Sequence, residues 1–147
     1  MTVCTLIGDR NTPESMRKNI RQALYLLVRN LKVDFFYVGA DGNFDEIVEE
    51  ELYLLCSEYP HIGYNVIICA EPNKEYDPIE IYKRNLCPIF PFKESSKDSI
   101  VDKIRRWMIK ESEIVILHSS NNSAEINELR KYAESEDKTI INLCCKG

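Results

Sequence analysis

The chain has 147 residues, 44% hydrophobic and 29% charged, with a net charge of −5. That is the size and composition of a single globular domain spanning residues 1–147 with one core. Its acidic balance argues against a surface that holds nucleic-acid phosphates, so no nucleic-acid partner is expected. The longest apolar run falls short of the roughly 20 residues needed to span a bilayer, and Met1 to Gly8 lacks the basic start of a signal peptide. A cytoplasmic protein without a membrane partner is expected.

Val3 to Ile7 is an apolar run ending at Gly8, which predicts a buried strand. Thr12-Pro13-Glu14 then predicts a helix start, with Thr12 as cap and Pro13 in the first turn. Met16, Ile20, Leu24, Leu27, Val28 and Leu31 recur at steps of three and four and form one helical stripe. Phe35–Val38 predicts a second strand ending at Gly39. A helix capped by Asn43, with Glu46 completing a capping box, should follow. Its acidic run Glu49-Glu50-Glu51 reads as solvated surface. The third strand lies within Tyr64–Ala70.

From Glu71 to Lys97 the prolines Pro72, Pro78, Pro88 and Pro91 break the pattern, predicting a long connection with a short helix or an edge strand. A helix bearing Ile100, Val101, Ile104, Trp107 and Met108 is next, then a strand over Ile114–Leu117, a helix over Ala124–Ser135 and a final strand over Thr139–Leu143. Trp107 reads as core, and Arg105 and Arg106 as a solvated face.

Six cysteines are present, without a C-x-x-C pair. Buried reduced thiols are expected, with one of the adjacent Cys144 and Cys145 exposed, and neither a metal site nor a cofactor. Val- and Ile-dense strands separated by helices predict a Rossmann-like α/β/α sandwich with a five-stranded, mainly parallel sheet in the order 3-2-1-4-5. Helical faces left over from sheet packing suit a homodimer.

In such a sheet, ligands bind beyond the carboxyl ends of the strands where the order reverses. Three loops converge there. Gly8, Asp9 and Arg10 follow the first strand; Gly39, Asp41, Gly42, Asn43 and Asp45 follow the second; Ser119, Ser120, Asn121 and Asn122 follow the fourth. Glycines admit close backbone approach. Helix N-termini and Arg10 attract anions, and Asp41 and Asp45 can accept from ribose hydroxyls. A small nucleotide-type ligand fits this set.

At these residues the chain resembles the small bacterial members of the SLOG superfamily, which groups DprA-like and lonely-guy (LOG)-like Rossmannoid proteins. The resemblance is carried by Ile7-Gly8-Asp9-Arg10, Val38 through Asp45, Tyr59-Pro60-His61-Ile62, Arg106-Trp107-Met108-Ile109 and Lys138 through Leu143. It implies a Rossmann-like fold that binds nucleotides or nucleotide-derived ligands, in some members for sensing alone. LOG enzymes cleave the base–ribose bond of nucleoside monophosphates. Aligned from His118, their Pro-Gly-Gly-x-Gly-Thr-x-x-Glu motif places Ile126 at the catalytic Glu and Ile104 at the essential Arg. Arg105, Arg106 and Glu125 are candidate assisting residues. The Asp9 position is usually His in relatives, and a carboxylate there disfavours phosphate.

The expectation is therefore a protein that binds or senses a nucleoside phosphate or an ADP-ribose- or NAD-like molecule without turnover. The alternatives are a LOG-type phosphoribohydrolase or deoxyribosyltransferase-like N-glycosidase, and an interaction protein with a vestigial site filled by Phe44, Trp107 or the proline-rich connection.

Overall fold

The computed structural model describes residues 1–70, 75–89 and 97–143, without the side chains of residues 97 and 98. Pro72, Pro91, Cys144 and Cys145 lie outside these residues. The elements are β1 (Val3–Gly8), a 3-10 turn (Glu14–Met16), α1 (Arg17–Arg29), β2 (Phe35–Val38), α2 (Asn43–Glu58), β3 (Gly63–Cys69), α3 (Pro78–Arg84), β4 (Leu86–Ile89), α4 (Lys97–Lys110), β5 (Ile114–His118), α5 (Ala124–Ser135) and β6 (Thr139–Asn142).

All strands pair in parallel, in the order β4-β3-β2-β1-β5-β6. This corrects the five-stranded order. The added strand β4 lies outside β3, within the segment that the prolines obscured. Its Pro88 lacks an amide proton, which an edge strand tolerates. Pro78 opens α3 rather than breaking a helix: the Asp77 side chain caps the Ile79 amide at 2.9 Å, and Asn85 ends the helix in the left-handed region at φ 53°.

Alternation along the strands divides the core. Cys4, Leu6, Ile114 and Ile116 face α1 and α2, packing with Ile20, Leu24, Val48 and Leu52. Ile7, Val115 and Leu117 face α4 and α5, packing with Met108, Ile109, Ile126 and Leu129. Each such aliphatic side chain contributes about 1.5–3 kcal/mol through burial. Trp107 joins the second cluster, its ring 5.2 Å from Tyr37. Burial raises the pKa of the Cys4 thiol, which the structure leaves as a free cysteine in the core.

Two caps differ from expectation. The Thr12 hydroxyl donates to the Asp9 carbonyl at 2.7 Å instead of capping a helix, and α1 begins at Arg17. At α2 the cap position is Gly42, and Asn43 is the first helical residue. The acidic run of α2 is not wholly solvated either. Glu51 is 4% exposed and receives Arg17 at 3.0 Å and Arg21 at 2.6 Å from α1. Arg17 also pairs with Glu14 and Glu50. These ion pairs, with Arg21 heading the causes, hold the Glu51 carboxyl below its ordinary pKa. Its contribution is therefore complete above the ordinary carboxylate range and is lost as pH falls through the depressed native value. Glu51→Gln is expected to cost about 2 kcal/mol at pH 7, since both arginines keep partial solvent access. Denaturant titrations at pH 7 and pH 3 check this; an equal loss at both would contradict the ionic account.

Candidate functional site

The chain leaves β1 toward β2 on one side and later returns to β5 on the other, so the order reverses beside β1. Gly8 pairs with His118 there, and the three loops emerge together. Two cavities open at this end. The smaller, about 240 Å³, is lined by Gly8, Asp9, Arg10, Ser120, Arg105 and Glu125, among others. The larger, about 730 Å³, is lined by Gly39, Asp41, Asp45 and Arg105 and extends over β3, α3, β4 and α4. Arg105 belongs to both.

Arg105 is not on a solvated face. It is 7% exposed, and its guanidinium donates to the Gly8 carbonyl at 3.1 Å while lying 3.7 Å from the Glu125 carboxylate. Ile126 is in the core, and Ile104 lines the larger cavity. Arg105 and Glu125, each one residue from the aligned positions Ile104 and Ile126, line the smaller cavity together. On a helix that step turns a side chain by about 100°. Arg106 faces elsewhere, pairing with Asp102 at 2.8 Å and lying over the Tyr132 ring.

Asp45 is 5% exposed and accepts the Asp41 amide at 2.9 Å. Burial pushes its pKa up to about 6, against the opposing pull of that amide and of Arg105. A Cβ on Gly39 would lie 2.8 Å from the Asp45 carboxylate, so the bare glycine makes room for it.

Several loop residues serve each other. Asp9 accepts from the Ser120 amide at 2.8 Å and hydroxyl at 3.3 Å, strapping the β1 and β5 loops together. Arg10 pairs with Asp41 at 2.8 Å, and the Asn43 amide donates to the Arg10 carbonyl at 2.8 Å. Gly42 has φ 107°, and a Cβ would lie 2.7 Å from the Arg10 Cα; both features require glycine. The Ser119 hydroxyl accepts the Ser123 amide, Ser123 caps α5, and Asn122 turns through φ 54°. Gly42 and Asn43 line a separate groove on the outer side of α2 with Glu46, Glu49 and Glu50. Phe44 covers Gly8 and stacks on His118 at 5.9 Å. Both cavities nevertheless remain beside it, and Trp107 lines neither.

The β3–α4 side of the larger cavity was absent from the sequence reading. The Asp77-Pro78 start and the Asn85 stop bracket a helix, and recognising them would have exposed β4 behind it.

No protein-family model and no curated protein matches the chain. Among solved structures, the chain is similar to DNA processing protein A from Helicobacter pylori, a protein described as having a unique single-stranded DNA binding mode. The TM-score is 0.65 at 14% identity, over 96% of this chain. This chain spans only 64% of that one. The likeness is one of fold: a Rossmann-like α/β architecture with a parallel sheet. It also corrects the charge-based exclusion of nucleic acid, because a chain of this architecture carries single-stranded DNA, and a net charge of −5 does not decide the partner. Among the described residues no helix is long and apolar enough to cross a membrane.

Proposed function

We propose that this chain binds a nucleotide-derived ligand at the carboxyl ends of β1, β2 and β5 and does not depend on turnover for its role. The observation that carries this reading is the pair of cavities meeting at the buried Arg105. A concave site of several hundred Å³ with a few convergent polar groups is where a small ligand belongs. The Arg105 guanidinium supplies the positive charge that such a ligand needs, and the SLOG resemblance supports its nucleotide character. Single-stranded DNA, the partner of the structural neighbour, presents the same base, sugar and phosphate groups.

A thermal-shift series with nucleoside monophosphates, NAD, ADP-ribose and a short thymidine oligonucleotide tests the reading. At least one is expected to raise the melting temperature, and Arg105→Ala is expected to weaken that ligand at least tenfold. No shift from any of them at millimolar concentration overturns it.

A second reading, N-glycoside cleavage, is favoured by one arrangement. Arg105 lies 3.7 Å from Glu125 and acts electrostatically on Asp45, and a carboxyl with a pKa of about 6 suits proton transfer near neutral pH. Release of free base from nucleoside monophosphates, followed by chromatography and abolished in Glu125→Ala, would establish turnover in place of simple binding.

A further inference from the structure

We infer that the larger cavity is a pocket for an amine-bearing nucleobase, with the phosphate of the same ligand held on the far side of Arg105. This rests on the nucleotide reading and gives it an orientation and a preference among bases.

The cavity of about 730 Å³ falls in the range of about 300–1,000 Å³ that encloses ligands of nucleoside size. Its walls are aliphatic, with Ile67 and Leu86 from the sheet and Val101 and Ile104 from α4. Such walls suit the two faces of a planar ring. Its polar groups are mostly carboxylates: Asp41, Asp45, Glu75, Asp77 and Glu80. Two arginines also line it, and both are engaged. Arg84 forks onto Glu49 at 3.1 Å, and Arg105 holds the Gly8 carbonyl. A phosphate in this setting would face several negative charges.

The smaller cavity has a more even balance. Arg10 and Arg105 line it against two carboxylates, Asp9 and Glu125, of which Asp9 is already held by the Ser120 amide and hydroxyl, and Ser123 at the start of α5 lines it too. An anion is better placed there, near the positive end of a helix.

Asp45 is the specific element. It is 5% exposed and lines the cavity, and one oxygen accepts the Asp41 amide. No described residue hydrogen-bonds its second oxygen. That oxygen is open to the cavity and offers an acceptor to a donor on the ligand. The exocyclic amine of adenine, guanine or cytosine supplies one, and the bond is charge-assisted while the carboxyl is ionised. Uracil and thymine have no exocyclic amine and offer only the ring N3–H, flanked by two carbonyl oxygens that the carboxylate repels. Among the described residues no group of three His, Cys, Asp or Glu side chains is arranged to hold a metal ion.

The test uses calorimetric titration of the whole chain with AMP, UMP, adenosine and ribose 5-phosphate. AMP is expected to bind at least tenfold more tightly than UMP, and adenosine to retain measurable binding. Val101→Trp, which fills the cavity from α4, should reduce AMP to the affinity of ribose 5-phosphate while leaving ribose 5-phosphate unchanged. Equal affinities for AMP and UMP, or AMP binding unaffected by Val101→Trp, overturn the base pocket while the nucleotide reading stands. Absence of binding by all four probes removes both. If Val101→Trp does not fold by circular dichroism, the AMP-to-UMP ratio on the unmodified chain decides.

Discussion

Gly8→Ala is expected to destabilise the protein by about 2–3 kcal/mol, the upper part of the range for overpacking a filled core. The added Cβ would lie 2.4 Å from the Phe44 ring. Phe44 has no accessible surface, sits in the first core cluster, and stacks on the His118 ring at 5.9 Å. The ring therefore has nowhere to move without displacing α2 or the end of β5. Phe44→Leu opens a small cavity and carries its own cost, but it also makes room for the new methyl. The double variant should accordingly be more stable than the sum of the single losses by at least about 1 kcal/mol, as expected for residues in direct contact. Urea denaturation of the four proteins measures this. Additive losses would show that Phe44 is not what excludes the methyl. The same contact bears on the site, because Phe44 packed on Gly8 holds the start of α2 against the end of β1, where the two cavities adjoin.

The strands dense in Val and Ile and the helical stripes were legible because burial selects those side chains at fixed spacings. β4 was legible only as an unplaced edge strand somewhere between Glu71 and Lys97, because Leu86–Ile89 is four half-buried residues interrupted by Pro88. Only its pairing with β3 makes it a strand, and β propensity is largely a property of such surroundings. Glu51 looked solvated for a similar reason. Its partners Arg17 and Arg21 lie on α1, and nothing within α2 announces them. The loops of the candidate site could be located from topology, since a parallel sheet presents its strand ends at the reversal of order. The work done by individual residues in those loops could not. Gly8 and Gly39 serve the protein's own Phe44 and Asp45, and Asp9 ties down Ser120. How Ile104 and Arg105 divide between the two cavities, with Arg105 lining both and Ile104 only the larger, depends on the rotation of α4. That rotation is set by Met108 and Ile109 seating in the second core cluster, a fact of packing that the register of a short motif does not contain.

Asp45→Asn is expected to stabilise the protein by about 2–3 kcal/mol at pH 8 and to leave it nearly unchanged at pH 4. The carboxyl is raised from 3.8 to about 6, chiefly by burial, which corresponds to about 3 kcal/mol between its two protonation states. The native state holds this proton more tightly than the unfolded chain does. Stability is thus undiminished below the unfolded value, falls as pH rises from about 4 to about 6, and bears the full penalty above that. Asparagine carries no charge and can accept the Asp41 amide through its side-chain oxygen, so it removes the penalty and keeps the bond. The amide group it adds is less welcome beside Arg105, which trims the gain. Chemical denaturation of both proteins across this pH range gives the difference directly. A difference independent of pH, or a loss of stability at pH 8, would show that Asp45 is ionised without strain. A buried carboxylate that costs the fold stability is a candidate binding group, because strained and charged groups are common at binding sites. On the proposed reading, its role is to offer an acceptor to a ligand in the cavity. Asp45→Asn should therefore gain stability and lose ligand discrimination together, whereas Gly8→Ala is expected to lose stability.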